Sequence, residues 1–253
     1  MITFSLQSGS NGNSIYVEAA GVRLLFDAGI SGRQAALRMA AHDRAMHDVD
    51  ALIISHSHAD HVCCAGIYQR RFRMPIYMTR ATHRAIRRDL GPLTDVRHFR
   101  SGDALEFGAV TVHTLRTPHD AVDTVMFVVA CEGKQLGILT DLGHPFERLA
   151  RVLEEVDAAY LESNYDADML ENGPYPLELR ERIRGAGGHL SNDESAELVA
   201  RCGAKQPKWI ALAHLSEQNN DSEIARETHR RRVGRDYPLK LARRDGVSEL
   251  FRV

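Results

Sequence analysis

Apolar residues recur over 2–6, 14–18 and 22–27, separated by the polar loop Ser8-Gly-Ser-Asn-Gly-Asn13 and the turn Ala20-Gly21, which predicts three strands in an antiparallel meander. Helical spacing follows over 31–47 and returns over 80–88, 146–155, 192–202 and 221–232. Apolar runs at 51–54, 74–78, 110–115, 124–130, 135–139, 158–162 and 208–213 read as strands, with further strands near 238–242 and 247–252. The loop 56–61 opens another helix. Mixed strands alternating with helices, without a low-complexity linker, predict an α/β sandwich forming a single domain over 1–253. The stretch 174–176 reads only as a long loop.

Composition narrows the class. With 43% hydrophobic and 26% charged residues, the 253-residue chain is neither disordered nor fibrous. No run approaches the roughly 18 to 20 apolar residues of a membrane-spanning helix, so no membrane association is expected. The opening residues show no basic segment followed by an apolar one, and a cytoplasmic protein is the expectation. Cys63, Cys64, Cys131 and Cys202 have neither metal-ligand nor disulfide-framework spacing and read as reduced thiols. A formal net charge of -2 advertises no global affinity for nucleic acid, yet the cations comprise 28 Arg and 4 Lys. Arginine is the better bidentate phosphate ligand, so local clusters carry interest. The informative excess is the 13 histidines.

Three His and one Asp fall within Ser55-His-Ser-His-Ala-Asp-His61, directly after the apolar strand Leu52-Ile-Ile54. That places them at the C-terminal edge of a strand, where open α/β sheets build their sites. His56 and His58 lie two apart in extended chain, and Asp60 and His61 fall at the next helix's start, so one loop offers two adjacent ligand sets. Three more polar residues close apolar strands: His119 in Thr117-Pro-His-Asp120, Asp141 in Thr140-Asp-Leu-Gly143, and His214 in Ala213-His-Leu-Ser216.

This series, an HxHxDH loop, a lone His, a TD-G Asp and a late His, resembles that of the metallo-β-lactamase fold along the whole chain. The resemblance implies a four-layer αββα sandwich of two mixed sheets with two divalent metal ions, zinc or manganese with iron as a further option, at the sheet edges. It implies that His56, His58 and His119 take one ion, that Asp60, His61 and His214 take the other, and that Asp141 bridges them. SGSNGNS, TPHDAVDT, TDLGH, LESNYDADML, GPYPLELRERI, GHLSN and HLSEQNN further resemble the YycJ/WalJ group of exonucleases, and GHLSN with HLS is also similar to tRNA 3′-processing endonucleases. A nucleic-acid substrate, DNA before RNA, is implied. The chain departs from that group at Tyr165, where His is commoner, and at His144, where Tyr is commoner; both are expected to line the cleft and bear on substrate choice.

Charge counting agrees. Two divalent ions against Asp60, Asp141 and a bridging hydroxide leave a site of about +1, suited to a phosphodiester, with that hydroxide attacking phosphorus. Asp60 and His189 are the residues expected to carry the reaction. Ser191 and Glu194 form a capping box, so His189 stands just ahead of a helix N-terminus whose free N–H groups would favour phosphate. Ser10, Asn11 and Asn13 could place donors beside the metals, although NG is ordinary turn chemistry. Asn164 and Asp166 could support the ligands. Arg230-Arg-Arg232 reads as a solvated helix face, Cys63 and Cys64 as packing, and Ala196, Leu198 and Val199 as core.

Rival readings share parts of this pattern. A secreted β-lactamase is disfavoured by the missing leader and by Asp141 where a Cys ligand is common. A glyoxalase II-like thioesterase uses the same ligand series but resembles the chain less in GHLSN and HLSEQNN. The 73 positions from Asp141 to His214 leave no room for the inserted domain of RNase J type enzymes. A non-catalytic metal-binding role would need no His189.

Overall fold

A computed structural model describes all residues, Met1–Val253. Two seven-stranded mixed sheets pack face to face. The first is built from β1 (Ile2–Gln7), β2 (Ser14–Ala19), β3 (Val22–Phe26), β4 (Ala51–Ile53), β5 (Ile76–Thr79) and β6 (Val96–Phe99). The second holds β7 (Ala104–Phe107), β8 (Val110–Arg116), β9 (Val125–Cys131), β10 (Lys134–Leu139), β11 (Ala158–Glu162), β12 (Ile210–Ala213) and β13 (Leu239–Leu241). The last strand, β14 (Phe251–Arg252), returns to pair with β1 in the first sheet.

Both faces of each sheet are buried. Leu24, Phe26, Ala51, Ile53, Phe127, Tyr160 and Trp209 fill the layer between the sheets. The alternate residues Leu25, Leu52 and Ile54 point out to a layer roofed by α1 (Gly32–Ala40), α2 (Ala59–Val62), α3 (Ala65–Phe72) and α4 (Arg80–Ala85). Ala159, Leu161 and Leu212 meet the helices over the second sheet, α5 (Glu147–Glu155), α8 (Asn192–Arg201) and α9 (Ser222–Val233); the short α6 (Ala167–Asn172) and α7 (Leu177–Arg184) come between α5 and α8 in the chain. This double burial is why the central strands read as unbroken apolar runs.

The expected αββα sandwich is therefore present, with differences in detail. The helix expected over 31–47 stops at Ala40, because Asp43 turns the chain at φ 55° and the His42 ring packs tilted against Phe4. The loop expected around 174–176 is flanked by α6 and α7; α7 buries none of its residues, so it left no apolar stripe to read. No helix is long and apolar enough to cross a membrane.

Strands β3 to β6 run parallel to one another, as do β10 to β13. All four C-terminal ends within each set thus share one rim.

Candidate metal centre

The first rim carries the His-rich loop. Asp27, directly after β3, accepts hydrogen bonds from Ser55 N at 2.8 Å, from the Ser55 hydroxyl, and from His61 Nδ1 at 2.7 Å. One carboxylate thereby ties the end of β4 to α2 and turns His61 Nε2 inward. Gly29 lets the loops approach: a Cβ there would meet the Asp60 carbonyl oxygen at 1.7 Å. Asn13 accepts from Gly9 N through its side chain and donates to Asp60 Oδ2 and towards His61 Nε2.

From the second rim come His119, Asp141, Glu162 and His214. His119 donates through Nδ1 to the Gly188 carbonyl at 2.9 Å, which leaves Nε2 3.2 Å from His58 Nδ1. Asp141 and His214 both adopt left-handed backbone, at φ 56°, as does Asp27 at 64°. Non-glycine residues rarely hold that conformation, and such strain concentrates where a site needs a side chain turned inward.

Glu162 closes β11 and is fully buried. Its carboxylate accepts from Asp141 N, Leu142 N and Leu190 N, and from His189 Nδ1 at 2.7 Å and His214 Nδ1 at 3.2 Å. His214 Nε2 then faces Asp60 Oδ2 at 3.4 Å.

Four overlapping groups of donor atoms result, two of them matching the expected ligand sets; the other two are His56, His61 and Asp141, and Asp141, Glu162, His189 and His214. Donor atoms of His56, His58 and His119 lie within 4.8 Å of one another, as do those of Asp60, His61 and His214. Asp141 stands between them, 3.3 Å from His61 Nε2 through Oδ2 and 3.7 Å from His119 Nε2 through Oδ1. His56 Nε2 and Asp141 Oδ2 are buried without a hydrogen-bond partner. An orphaned buried acceptor is costly, so imidazole and carboxylate donors converging in this way fit divalent cations.

Electrostatics favour the same conclusion. Burial opposes charge on His61 and His214, yet Asp141, Asp60 and Asp27 raise His61, and Asp141, Asp60 and Glu162 hold His214 up at about 10. Burial also resists ionisation of Asp60 and Asp141, but the facing imidazoles keep both well below the usual carboxylate range. His56 moves the other way, pushed down by burial and by His61. The carboxylates demand positive charge in a place that excludes water.

All seven expected ligand residues come together, and His189 lines the same cleft of about 350 Å³. Ser10 and Asn164 also line it, and Asn164 donates to the His214 carbonyl. Several expectations change. Asn11 is exposed, away from the ligands, and Asp166 caps α6 through Met169 N. Tyr165 is buried with its backbone bridged to Ser191, and His144 bonds the Ala186 carbonyl; neither lines the cleft. The start of α8 is no open anion cradle: Leu190 N, Ser191 N, Asn192 N and Glu194 N already bond Glu162, Glu194, Tyr165 and Ser191.

Four groups went unnoticed in the sequence. Asp27 and Glu162 each close an apolar strand, the very signal that singled out His56, Asp141 and His214. Asp120 lies 3.6 Å from His58 Nε2 and pairs with Arg182 at 2.5 Å, setting a guanidinium at the cleft mouth. With Asp27 and Glu162 included, two divalent ions against four carboxylates and a bridging hydroxide would leave about -1 in place of the expected +1, and Arg182, paired with Asp120, adds no net charge.

The model of the beta-lactamase superfamily domain matches residues 22–210. The chain belongs to that superfamily. It is 35% identical over 227 residues to exodeoxyribonuclease WalJ of Streptococcus pneumoniae, covering 88% of this chain and 84% of that protein. Exodeoxyribonuclease YycJ of Bacillus anthracis is 33% identical over 223 residues, covering 87% and 84%. Among solved structures, the metallo-beta-lactamase fold protein YhfI of Bacillus subtilis superposes with a TM-score of 0.76 at 18% identity over 99% of this chain and 98% of that one. The superfamily's fold is thus matched over nearly the whole chain.

Proposed function

We propose that this superfamily member is a dinuclear, metal-dependent exodeoxyribonuclease. The chain is a metal-dependent hydrolase, and the substrate is read from its relatives, WalJ and YycJ, both named exodeoxyribonucleases. The observation that carries the reading is the convergence of two three-residue clusters on Asp141 inside one cleft. His56, His58 and His119 would hold one ion; Asp60, His61 and His214 would hold the other; Asp141 would serve both. When bound, divalent ions supply Lewis acidity, lowering the pKa of water and stabilising the attacking and leaving oxygens of a phosphodiester displacement.

The chain's own residues do the rest. Asp27, Glu162 and Gly188 fix the orientations of His61, His214 and His119, respectively, and Asp120 lies 3.6 Å from His58 Nε2. Such supporting contacts set ligand tautomer and basicity. Glu162 accepts the hydrogen bond from His189 Nδ1–H, which orients the ring so that Nε2, when it carries a proton, can donate it to the leaving oxygen. Arg182 offers a cation to an adjacent phosphate. Imidazole and carboxylate ligands without Cys suit zinc, manganese or iron.

The test is a substrate panel with each metal: single- and double-stranded DNA, RNA, and a lactoylglutathione-type thioester. DNA hydrolysis in at least one metal form, abolished by chelation, is the expected result. Efficient thioester turnover with no nucleolytic activity would replace this reading with a glyoxalase II-like one.

A further inference from the structure

The rim that carries the His-rich loop continues past it. Because β4, β5 and β6 run parallel, the residues after β5 and β6 stand on the same edge as those after β4. After β4 come His56 and His58; after β5 comes Arg80; after β6 comes Arg100. The segment that follows α4 packs on the start of α3: a Cβ at Gly66, five residues beyond His61, would meet the Leu90 carbonyl oxygen at 2.0 Å. Arg87 and Arg88 therefore lie on the path from α4 to the start of α3, which follows α2 in the chain.

Arg80, Arg84, Arg87, Arg88 and Arg100 are all exposed, and none has an acidic side chain within ion-pair distance. The local carboxylates are engaged: Asp89 accepts from Gly91 N, Asp95 pairs with Arg97, and Asp103 accepts from Arg100 N. On the α9 surface the arginines are partly neutralised, Arg230 and Arg231 being left without an acidic partner. On and after α9, Arg226, Arg232 and Arg235 each meet a glutamate. Burial and the nearby Arg80 and Arg84 also lower the pKa of His98, whose ring nitrogen lies 3.0 Å from that of His83. A local positive field on a chain of net charge -2 does nothing for solubility, and an open row of guanidinium forks is matched to backbone phosphates.

We infer that Arg80, Arg84, Arg87, Arg88 and Arg100 form a strand-holding subsite that grips the uncut part of a DNA chain whose end occupies the metal cleft. The inference rests on the nuclease reading and adds the place where the substrate beyond the cleft is bound.

The test compares wild type with Arg84→Ser/Arg87→Ser/Arg88→Ser, far enough from the ligands to keep the metals. On a 5′-labelled single strand of about 20 nucleotides, log binding should fall against log salt by about 0.7 per phosphate contact. The triple variant should lose roughly two units of that slope and bind more weakly at low salt. Its rate on bis(4-nitrophenyl) phosphate should match wild type within about twofold, a substrate too short to reach the tract. An unchanged slope on DNA overturns the subsite, including the case in which the variant instead loses binding to anionic phosphatidylglycerol vesicles. Equal losses on both substrates overturn it too, because the residues would then support the fold or the metals. A wild type that hydrolyses the small diester but neither binds nor cuts DNA overturns the nuclease reading itself.

Discussion

His189 Nδ1 lies 2.7 Å from Glu162 Oε1, and the same carboxylate oxygen lies 3.2 Å from His214 Nδ1. Glu162 thus couples a histidine that our reading assigns to proton transfer with one that it assigns to metal binding. Burial alone would neutralise this carboxyl, yet the charges and hydrogen bonds of His189 and His214 hold its pKa at about 2. The carboxylate is fixed, and so is the orientation of both rings.

His189→Ala should accordingly retain metal and DNA affinity while losing roughly 10²- to 10⁴-fold in kcat, the usual worth of general acid-base help. A nitrophenyl phosphodiester, whose leaving group needs little protonation, should recover much of that rate. Metal analysis alongside the two rate measurements decides it. Loss of metal, or equal impairment on both substrates, would remove the proton-transfer role.

Asp27 is predicted to matter for both stability and metal. Asp27→Ala strips the acceptor from Ser55 N, the Ser55 hydroxyl and His61 Nδ1, all buried. Leaving such donors unsatisfied should cost about 3 kcal/mol, and loss of the orienting contact should weaken metal affinity by roughly 10- to 100-fold. Thermal melting of the metal-free protein and a metal titration check the two effects separately. An Asp27→Ala protein that matches wild type in both would contradict the role given to this residue.

The strand-end rule explains how much of the site was legible. His56, Asp141 and His214 stood out because a histidine, or an acid between glycine-rich turns, ended an apolar run. Asp27 and Glu162 obey the same rule but resemble ordinary loop acids until their buried partners are seen. The left-handed backbone at Asp27, Asp141 and His214 was not legible, since nothing about Asp or His demands it. Strands β6 and β7 escaped notice because their exposed positions carry Arg97, His98, Ala104 and Glu106, which hide the apolar alternation of edge strands. The α7 wall of the cleft escaped because its apolar residues Leu179 and Ile183 face the cleft and join no core.

Metal stoichiometry follows from the two clusters. Wild type at saturation should bind two divalent ions per chain. Asp60→Ala should lose mainly the ion beside His61 and His214, and His58→Ala mainly the other. Elemental analysis of the three proteins gives the answer; one ion in fully loaded wild type, unchanged in Asp60→Ala, would falsify the dinuclear arrangement.

A pH effect is expected far from the site. His229 is buried under α8 and α9, with Nδ1 donating to the Ala225 carbonyl and Nε2 facing the Ser195 hydroxyl at 3.2 Å. Burial pushes its pKa down to about 4. Unfolded, the same ring takes a proton near 6.5, so acid favours the unfolded state. The contribution is intact above about pH 6.5, declines as pH falls, and is lost below about 4, a swing of about 3 kcal/mol. His229→Gln should therefore show a shallower fall in melting temperature between pH 6.5 and 4.5 than wild type. Parallel curves would mean that the ring is not held neutral.

The most direct test of the account is digestion of linear DNA beside a covalently closed circle of the same sequence, using protein stripped by chelation and reloaded with manganese or zinc. The account predicts nucleotides released progressively from the linear molecule, an untouched circle, and no product before reloading. Nicking of the circle at the rate of linear cleavage, or equal activity in the stripped protein, would contradict it.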